Sequence, residues 1–407
     1  MSPKTKKIIN IIIITCIVII VGELIFFGYE YFKKKNNKTY YDSINAFSII
    51  NKGYIGVGSN NDNSLSLEKG KITKYDSKKN KVWEKFYNKG YNSTFFNVKE
   101  DKGDFVVVGS YEKTKKEKKD KTRTALFVKY DKDGTVIFEK NLQILGNSKF
   151  VNLQVVDDGY IVVGQSIFEN MTLGLSEAGG GVIVKYDKSG KEVWRSNYGG
   201  GKSGLYNDLT ILDGYIYVAG KDAARVGTIT KYSLTGERIK TTTYEYTDTL
   251  GFTSITSVGN KLIVAGAKKI KEEQEDYDTD AILVKYDEDC DLIDSVIYRK
   301  NGMERFNKVI TDSNNNLVVV GHTAVIDKKK STKSLNVFSY NGLIAKYKKN
   351  LTKVYCEEYG DTQDDYFTDI EEENNRYLVS GYSSYKKDGY LSKFITYSKQ
   401  GENLEVK

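Results

Sequence analysis

Hydrophobic positions in this chain fall in short, nearly uninterrupted runs that end in glycine. GYIGVG, DFVVVG, GYIVVG, GYIYVAG, KLIVAG, NLVVVG and RYLVSG close at Gly58, Gly109, Gly164, Gly220, Gly266, Gly321 and Gly381. Runs this short, rich in Val, Ile and Tyr and bounded by Gly, Asp and Asn, predict strands. Continuous rather than alternating apolarity predicts strands covered on both faces. The glycines recur at spacings of 51, 55, 56, 46, 55 and 60 residues, so the chain is a repeat.

Two further markers keep the same order. Upstream of each glycine stands an aromatic followed three residues later by an aliphatic: Phe47 and Ile50, Phe95 and Val98, Phe150 and Leu153, Tyr206 and Leu209, Phe252 and Ile255, Phe306 and Val309, Phe367 and Ile370. Downstream comes a tyrosine, usually after lysine: Tyr75, Tyr130, Tyr186, Tyr232, Tyr286, Tyr347 and Tyr397. Turn residues such as DDG and DKSG separate four β runs in every unit. Seven units of four antiparallel strands predict an all-β, seven-bladed β-propeller over residues 44–407, with the aromatic-start strands around the axis.

The last two strands of each unit repeat one phrase, seen as KITKYDSKKNKVW (71–83), LFVKYDKDGTVIF (126–138) and VIVKYDKSGKEVW (182–194). Trp83, Phe138 and Trp194 close the phrase on the outermost strand, where an aromatic is expected to dock on the adjacent blade. Lys240, Asp294, Tyr355 and Glu405 hold the same position in the other units. DKSGKEVW (187–194) resembles the quinoprotein-type (PQQ-like) propeller repeat, whose D-x-x-G-x-x-x-W stretch ends in a docking tryptophan. YGG at 198–200 is similar to the aromatic-Gly-Gly turn of looser bacterial surface propellers. Quinoprotein enzymes have eight blades, adjacent cysteines and a calcium-bound cofactor; this chain has neither an eighth unit nor a Cys pair, so no cofactor is carried over. The resemblance implies a non-enzymatic propeller of the bacterial envelope or cell surface.

Ahead of the repeats, residues 8–28 form an apolar run broken only by Asn10, Thr15, Gly22 and Glu23, long enough to span a bilayer as a helix. GYEYFKKK comes after it instead of a small-residue cut site, which predicts an uncleaved signal-anchor. The expected order is a short cytoplasmic tail (1–7), the transmembrane helix (8–28), a tether (29–43) and the propeller (44–407) outside. IIIT before Cys16 is no lipobox, and Glu23 reads as a carboxylate near the outer end of the span. The formal charge of +8 is concentrated at this end, where residues 1–38 hold seven lysines against two glutamates. The propeller is left with little net charge and no electrostatic case for nucleic acid.

Candidate chemistry is sparse. Cys290 and Cys356 are the only cysteines outside the span, and one His with no CxxC offers neither a zinc site nor a Cys/His pair. Asp276, Asp278 and Asp280, and Asp287, Asp289 and Asp291, have the alternate spacing of calcium loops but lack the glycine and distal glutamate, so no metal is expected. His322 follows the strand-two glycine and reads as a rim residue, with a general base as the alternative. GLSEAGGG (174–181) lacks a phosphate-loop lysine. From the strand-two glycine to the KY tyrosine the distances are 17, 21, 22, 12, 20, 26 and 16 residues, so variable length collects on one face. KTKKEKKDKTRT (113–124) and AKKIKEEQEDYDTD (267–280) both lie there. Binding is expected on that loop face, with a protein or cell-envelope polymer as partner and the membrane as anchor. An envelope glycan- or peptide-acting hydrolase or lyase, with carboxylates at the channel mouth, is the alternative.

Overall fold

The computed structural model describes residues 40–61, 68–112, 123–143, 146–167, 180–198, 204–222, 226–244, 249–269, 279–300, 303–326, 338–360, 364–385 and 389–407. The predicted tail, span and most of the tether lie outside the described residues, as do most of the 113–124, 174–181 and 267–280 segments and Asp276 and Asp278. Among the described residues, no helix is long and apolar enough to cross a membrane.

Those residues form strands β1 to β28, four consecutive strands to each of seven blades. In blade 1 these are β1 (Tyr40–Ile50), β2 (Gly53–Asn61), β3 (Glu68–Asp76) and β4 (Lys81–Phe86), antiparallel throughout. Its first strand is described from Tyr40. The first strands of successive blades touch around a closed ring, and β1 meets β25 (Asp365–Glu373) of blade 7. Apolar side chains of the second and third strands are almost wholly buried between neighbouring blades.

In each first strand the chain bulges beside the strand-two glycine. Phe95 pairs with Gly109 and Asn97 with Val108, leaving Phe96 as the extra residue. In blade 1 the equivalent pair is Ile44 with Gly58, and the bulge leaves Asn45. Phe47 is thus the counterpart of Val98, and the expected pairing of Phe47 with Ile50 is three residues out of register. Phe47 remains fully buried, which is why the pattern read as an aromatic start.

Each residue of the repeated phrase makes a distinct contact. The tyrosine is buried between blades in blades 2 to 7 and half-buried at Tyr75. The aspartate after it caps the hairpin: Asp187 accepts the N–H groups of Ser189 and Lys191, and Asp76, Asp131 and Asp287 do the same in their blades. The lysine before it reaches the hairpin of the next blade, as Lys74 donates to the Lys132 carbonyl and Lys285 to that of Lys349.

The fourth residue of each hairpin is left-handed, with φ of 63° at Lys79, 82° at Gly134, 77° at Gly190, 88° at Gly236, 61° at Cys290, 66° at Leu351 and 95° at Gly401. Where it is glycine, an outer-strand aromatic of the preceding blade lies on it. Trp83 covers Gly134, Phe138 covers Gly190, Trp194 covers Gly236 and Tyr355 covers Gly401, so close that a Cβ would lie 3.2 Å or less from the ring. Trp194 also donates Nε1–H to the Leu234 carbonyl at 3.1 Å. Where the preceding blade offers no aromatic, the hairpin residue has a side chain. Cys290 and Leu351 are buried in the seams entered by Lys240 and Asp294, and Lys79 pairs with Glu405 at 2.6 Å. Lys240 ties to the neighbouring Asp291 at 2.6 Å. Ring and hairpin side chain are alternatives for one space.

Three seams add an acid at the hairpin face, buried in the first two. Tyr160 donates to Asp101 at 2.6 Å while Lys129 and Lys188 flank it at 2.9 and 3.0 Å. Tyr377 donates to Asp312 at 2.7 Å beside Lys346 and Lys399. At the closing seam Tyr54 donates to Glu373 at 2.7 Å. Burial pushes the Asp101 carboxyl up, but the bonds from Tyr160, Lys129 and Lys188 outweigh it and bring it down to about 2. Asp312 is lowered in the same way.

Blade 7 ends in the short β28 (Asn403–Val406), which pairs with the C-terminal half of β27 (Gly389–Ser398). Its other half is met by the start of β1, parallel, with Tyr40 opposite Gly389 and Tyr41 opposite Tyr390, and Ser392 donates to the Asp42 carbonyl at 2.8 Å. Both ends of the propeller thus share one strand.

Two outcomes are expected. Trp194 is only half-buried, so Trp194→Ala should cost about 2 kcal/mol, less than a fully buried tryptophan. Gly236→Ala should cost a similar amount, and the double variant clearly less than the sum, because both changes act on one contact; denaturant unfolding of all three measures this. Asp101 has a folded-state pKa below its unfolded value, so its contribution is complete above about pH 4 and is lost as pH falls through about 2. Acid unfolding of Asp101→Asn should lose part of the pH dependence between about pH 4 and 2; an unchanged acid limb would refute the assignment.

Candidate functional site

The axial channel is where inward carboxylates would gather in an enzyme. The bulge residue of each first strand points to the next blade. Asn45 donates to the Phe95 carbonyl at 2.7 Å, Asn207 to Phe252 at 2.6 Å, Thr253 to Phe306 at 2.7 Å, Asn307 to Phe367 at 2.7 Å and Thr368 to Ile44 at 3.0 Å. The last of these closes the ring with the same bond that joins its other members. Blade 3 carries Val151 here, and Gln165 from its second strand reaches the Tyr206 carbonyl at 3.4 Å instead. In blade 2 the bulge residue is Phe96, with the Lys149 ammonium 5.3 Å above its ring.

One residue further on lies a second belt: Ala46, Asn97, Asn152, Asp208, Ser254, Lys308 and Asp369. Asp208 accepts from the Leu209 and Ile255 amides, Asn152, Ser254 and, two blades away, Lys308 at 2.9 Å. Asp369 accepts from the Ile370 amide and from Phe47 N–H of blade 1. Below it Glu371 takes the Ile49 amide at 2.7 Å and Lys99 of blade 2 at 3.3 Å. Burial raises both Asp369 and Glu371. Burial would lower Lys308, but Asp208 and Asp369 hold it raised. Asp369 and Glu371 thus form a carboxylate pair in the channel, with oxygens already engaged by backbone amides of blade 1. What this arrangement does chemically is fasten blades.

The loop-face end of the ring is different. Directly before the bulge aromatic and directly after the strand-two glycine, facing residues are Ser43 and Ser59, Thr94 and Ser110, Lys149 and Gln165, and Leu205 and Lys221. In blades 6 and 7 they are Arg305 with His322 and Tyr366 with Tyr382. His322 sits edge-on to Tyr340 and Tyr366, with ring centroids 5.4 and 5.0 Å away. Tyr340 and Tyr366, and Tyr366 and Tyr382, lie 5.2 Å apart and tilted by only 32° and 31°, making a row of three half-buried rings. Tyr340 donates its hydroxyl to Met303 Sδ and its amide to Asp364. The His322 Nδ1 is buried without a hydrogen-bond partner, and burial together with the nearby Arg305 charge pushes its pKa down to about 4. A group so hard to protonate is neutral at pH 7 and a weak general base.

Sequence reasoning singled out His322 alone from this cluster. Arg305, Tyr340, Tyr366 and Tyr382 were missed; the one available signal was Tyr382 at the position held by serine in two other units. Trp83, Phe138 and Trp194 lie at the seams, away from both the channel and this cluster. Asp287, Asp289 and Asp291 form a capped hairpin in which Asp289 pairs with Lys231 and Asp291 with Lys240. Asp280 is buried and paired with Arg299 at 2.8 Å. Among the described residues, no group of His, Cys, Asp or Glu is arranged to hold a metal ion, and Cys290 and Cys356 are free.

The belt makes a stability prediction. Asp208→Ala leaves Lys308 in the channel without its nearest carboxylate and should cost about 3 kcal/mol. Adding Lys308→Met should recover much of that loss in denaturant unfolding; a double variant as unstable as the sum would refute the pairing.

No family model matches the sequence, and no curated protein matches it. Among solved structures, the chain is similar to the Dos1 propeller with a TM-score of 0.50 and 11% identity, covering 84% of this chain and 91% of that one. The propeller domain of the Trilobed protease from Pyrococcus furiosus, which has an open velcro topology, gives 0.48 at 12% identity, over 90% of this chain and 98% of that one. A glucose dehydrogenase gives 0.40 at 10% identity, over 69% of this chain and 93% of that one. At such identities the likeness speaks to fold alone: this chain is a seven-bladed β-propeller built of repeats.

Proposed function

We propose that this chain is a membrane-tethered, extracytoplasmic propeller whose loop face holds a protein or cell-envelope polymer, so that it acts as an interaction or assembly scaffold. One observation carries the reading: the connections that vary most in length join strand ends at a single face of a ring whose inner carboxylates are spent on holding blades together. A rigid support with variation confined to one face is how binding surfaces are commonly built. β1 starts at that same face, so a bilayer helix over 8–28 would leave only residues 29–39 between membrane and propeller. Fully extended, that tether reaches at most about 40 Å, and it would hold the loop face toward the membrane.

The test places a photo-crosslinking residue at Tyr382 on the loop face or at Lys188 on the hairpin face of the full chain in cells. Crosslinks to a discrete partner from Tyr382 and none from Lys188 are expected. Crosslinks confined to Lys188 would overturn the reading. Protease added to intact protoplasts should remove the propeller while a cytoplasmic control survives; protection until lysis would overturn the topology.

A further inference from the structure

The aromatic row crosses the seam between blades 6 and 7, where Tyr340 and His322 of one blade meet Tyr366 of the other. Blades 1 and 2 fill the same level with Ser43, Ser59, Thr94 and Ser110. Here stand instead three tyrosines, a histidine and an arginine drawn from five strands of two blades. Three properties of the cluster point to one kind of occupant. The tyrosine rings are half-buried and packed in one row, each tilted by about 30° to the next, so the row presents one aromatic surface to a flat partner. His322 Nδ1 is buried without a partner, an unmet hydrogen-bonding group that a hydroxyl satisfies whether Nδ1 donates or accepts. Arg305 has no carboxylate partner among the described residues, and burial lowers its pKa, so its charge is desolvated and unneutralised.

We propose that the loop-face end of the seam between blades 6 and 7 binds an acidic sugar, a pyranose ring carrying a carboxylate or phosphate. The sugar's C–H face lies against the half-buried row of Tyr340, Tyr366 and Tyr382, a ring hydroxyl meets His322 Nδ1, and the acidic group pairs with the Arg305 guanidinium, whose planar fork matches carboxylate and phosphate oxygens. A quaternary ammonium, the other common guest of aromatic clusters, is repelled by Arg305. A neutral glycan leaves Arg305 unpaired. This inference rests on the loop face being the binding face and names the class of polymer it takes.

The full-length chain in detergent micelles is titrated calorimetrically with tetragalacturonate, glucose 6-phosphate and maltotetraose. At least one acidic probe is expected to bind about ten-fold tighter than maltotetraose, a difference that Arg305→Gln abolishes. The stronger acidic probe tells carboxylate from phosphate. Tyr366→Ser, which introduces the residue blade 1 carries at this position, should weaken every probe while thermal unfolding stays close to that of the parent. Tyr382→Ser is the second variant should Tyr366→Ser unfold. Equal binding of acidic and neutral probes, no binding of any, or a preference that survives Arg305→Gln overturns the proposal. Retained crosslinking from Tyr382 with no probe binding would overturn this inference and leave the scaffold reading standing; crosslinks confined to the hairpin face would overturn that reading whatever the probes do.

Discussion

A four-stranded sheet that is apolar on both faces cannot stand alone in water, and every blade of this protein is such a sheet. Its stability is therefore a property of the seams. Removing one neighbour would expose an entire apolar face, at a cost of roughly 25 cal/mol for each Å² uncovered. The last seam is then as necessary as the other six. The structure closes it with the same bond used elsewhere, Thr368 to the Ile44 carbonyl, and adds Phe47 N–H to Asp369 and the shared strand formed by Tyr40 and Tyr41 beside β27.

The seams also explain why the repeat is imperfect without being random. An outer-strand aromatic and a side chain on the left-handed hairpin residue cannot occupy the same space. Trp83, Phe138, Trp194 and Tyr355 each face glycine, while Lys240, Asp294 and Glu405 face Cys290, Leu351 and Lys79. Deviations on one blade are matched on the next. The carboxylates of the channel obey the same demand, since Asp208, Asp369 and Glu371 bond to amides of neighbouring blades that would otherwise be buried without partners.

Blade count, strand order and the placement of variable connections were legible in the chain because they depend on local patterns: strand periodicity, turn residues and the fixed distance between them. The same distance would have corrected blade 1. Phe95, Phe150, Tyr206, Phe252 and Phe367 stand fourteen residues before their glycines, as Ile44 does, whereas Phe47 stands eleven. Spacing was the stronger signal, and residue type misled because both positions are buried. The docking of Trp194 could be expected from the sequence, but its partner Gly236 lies in the next repeat and carries no mark of it.

By itself the sequence determined a seven-unit β repeat, the long apolar run at 8–28 and the near neutrality of the repeats beyond that run, because each is written in adjacent residues or in their period. Tertiary structure decided which side chains meet. Arg305, His322, Tyr340, Tyr366 and Tyr382 are spread over five strands, and Asp208 finds Lys308 a hundred residues away. Closing seven sheets around one axis brings such residues together, and the distances at which they meet depend on how each blade packs on the next, a property that no local pattern records.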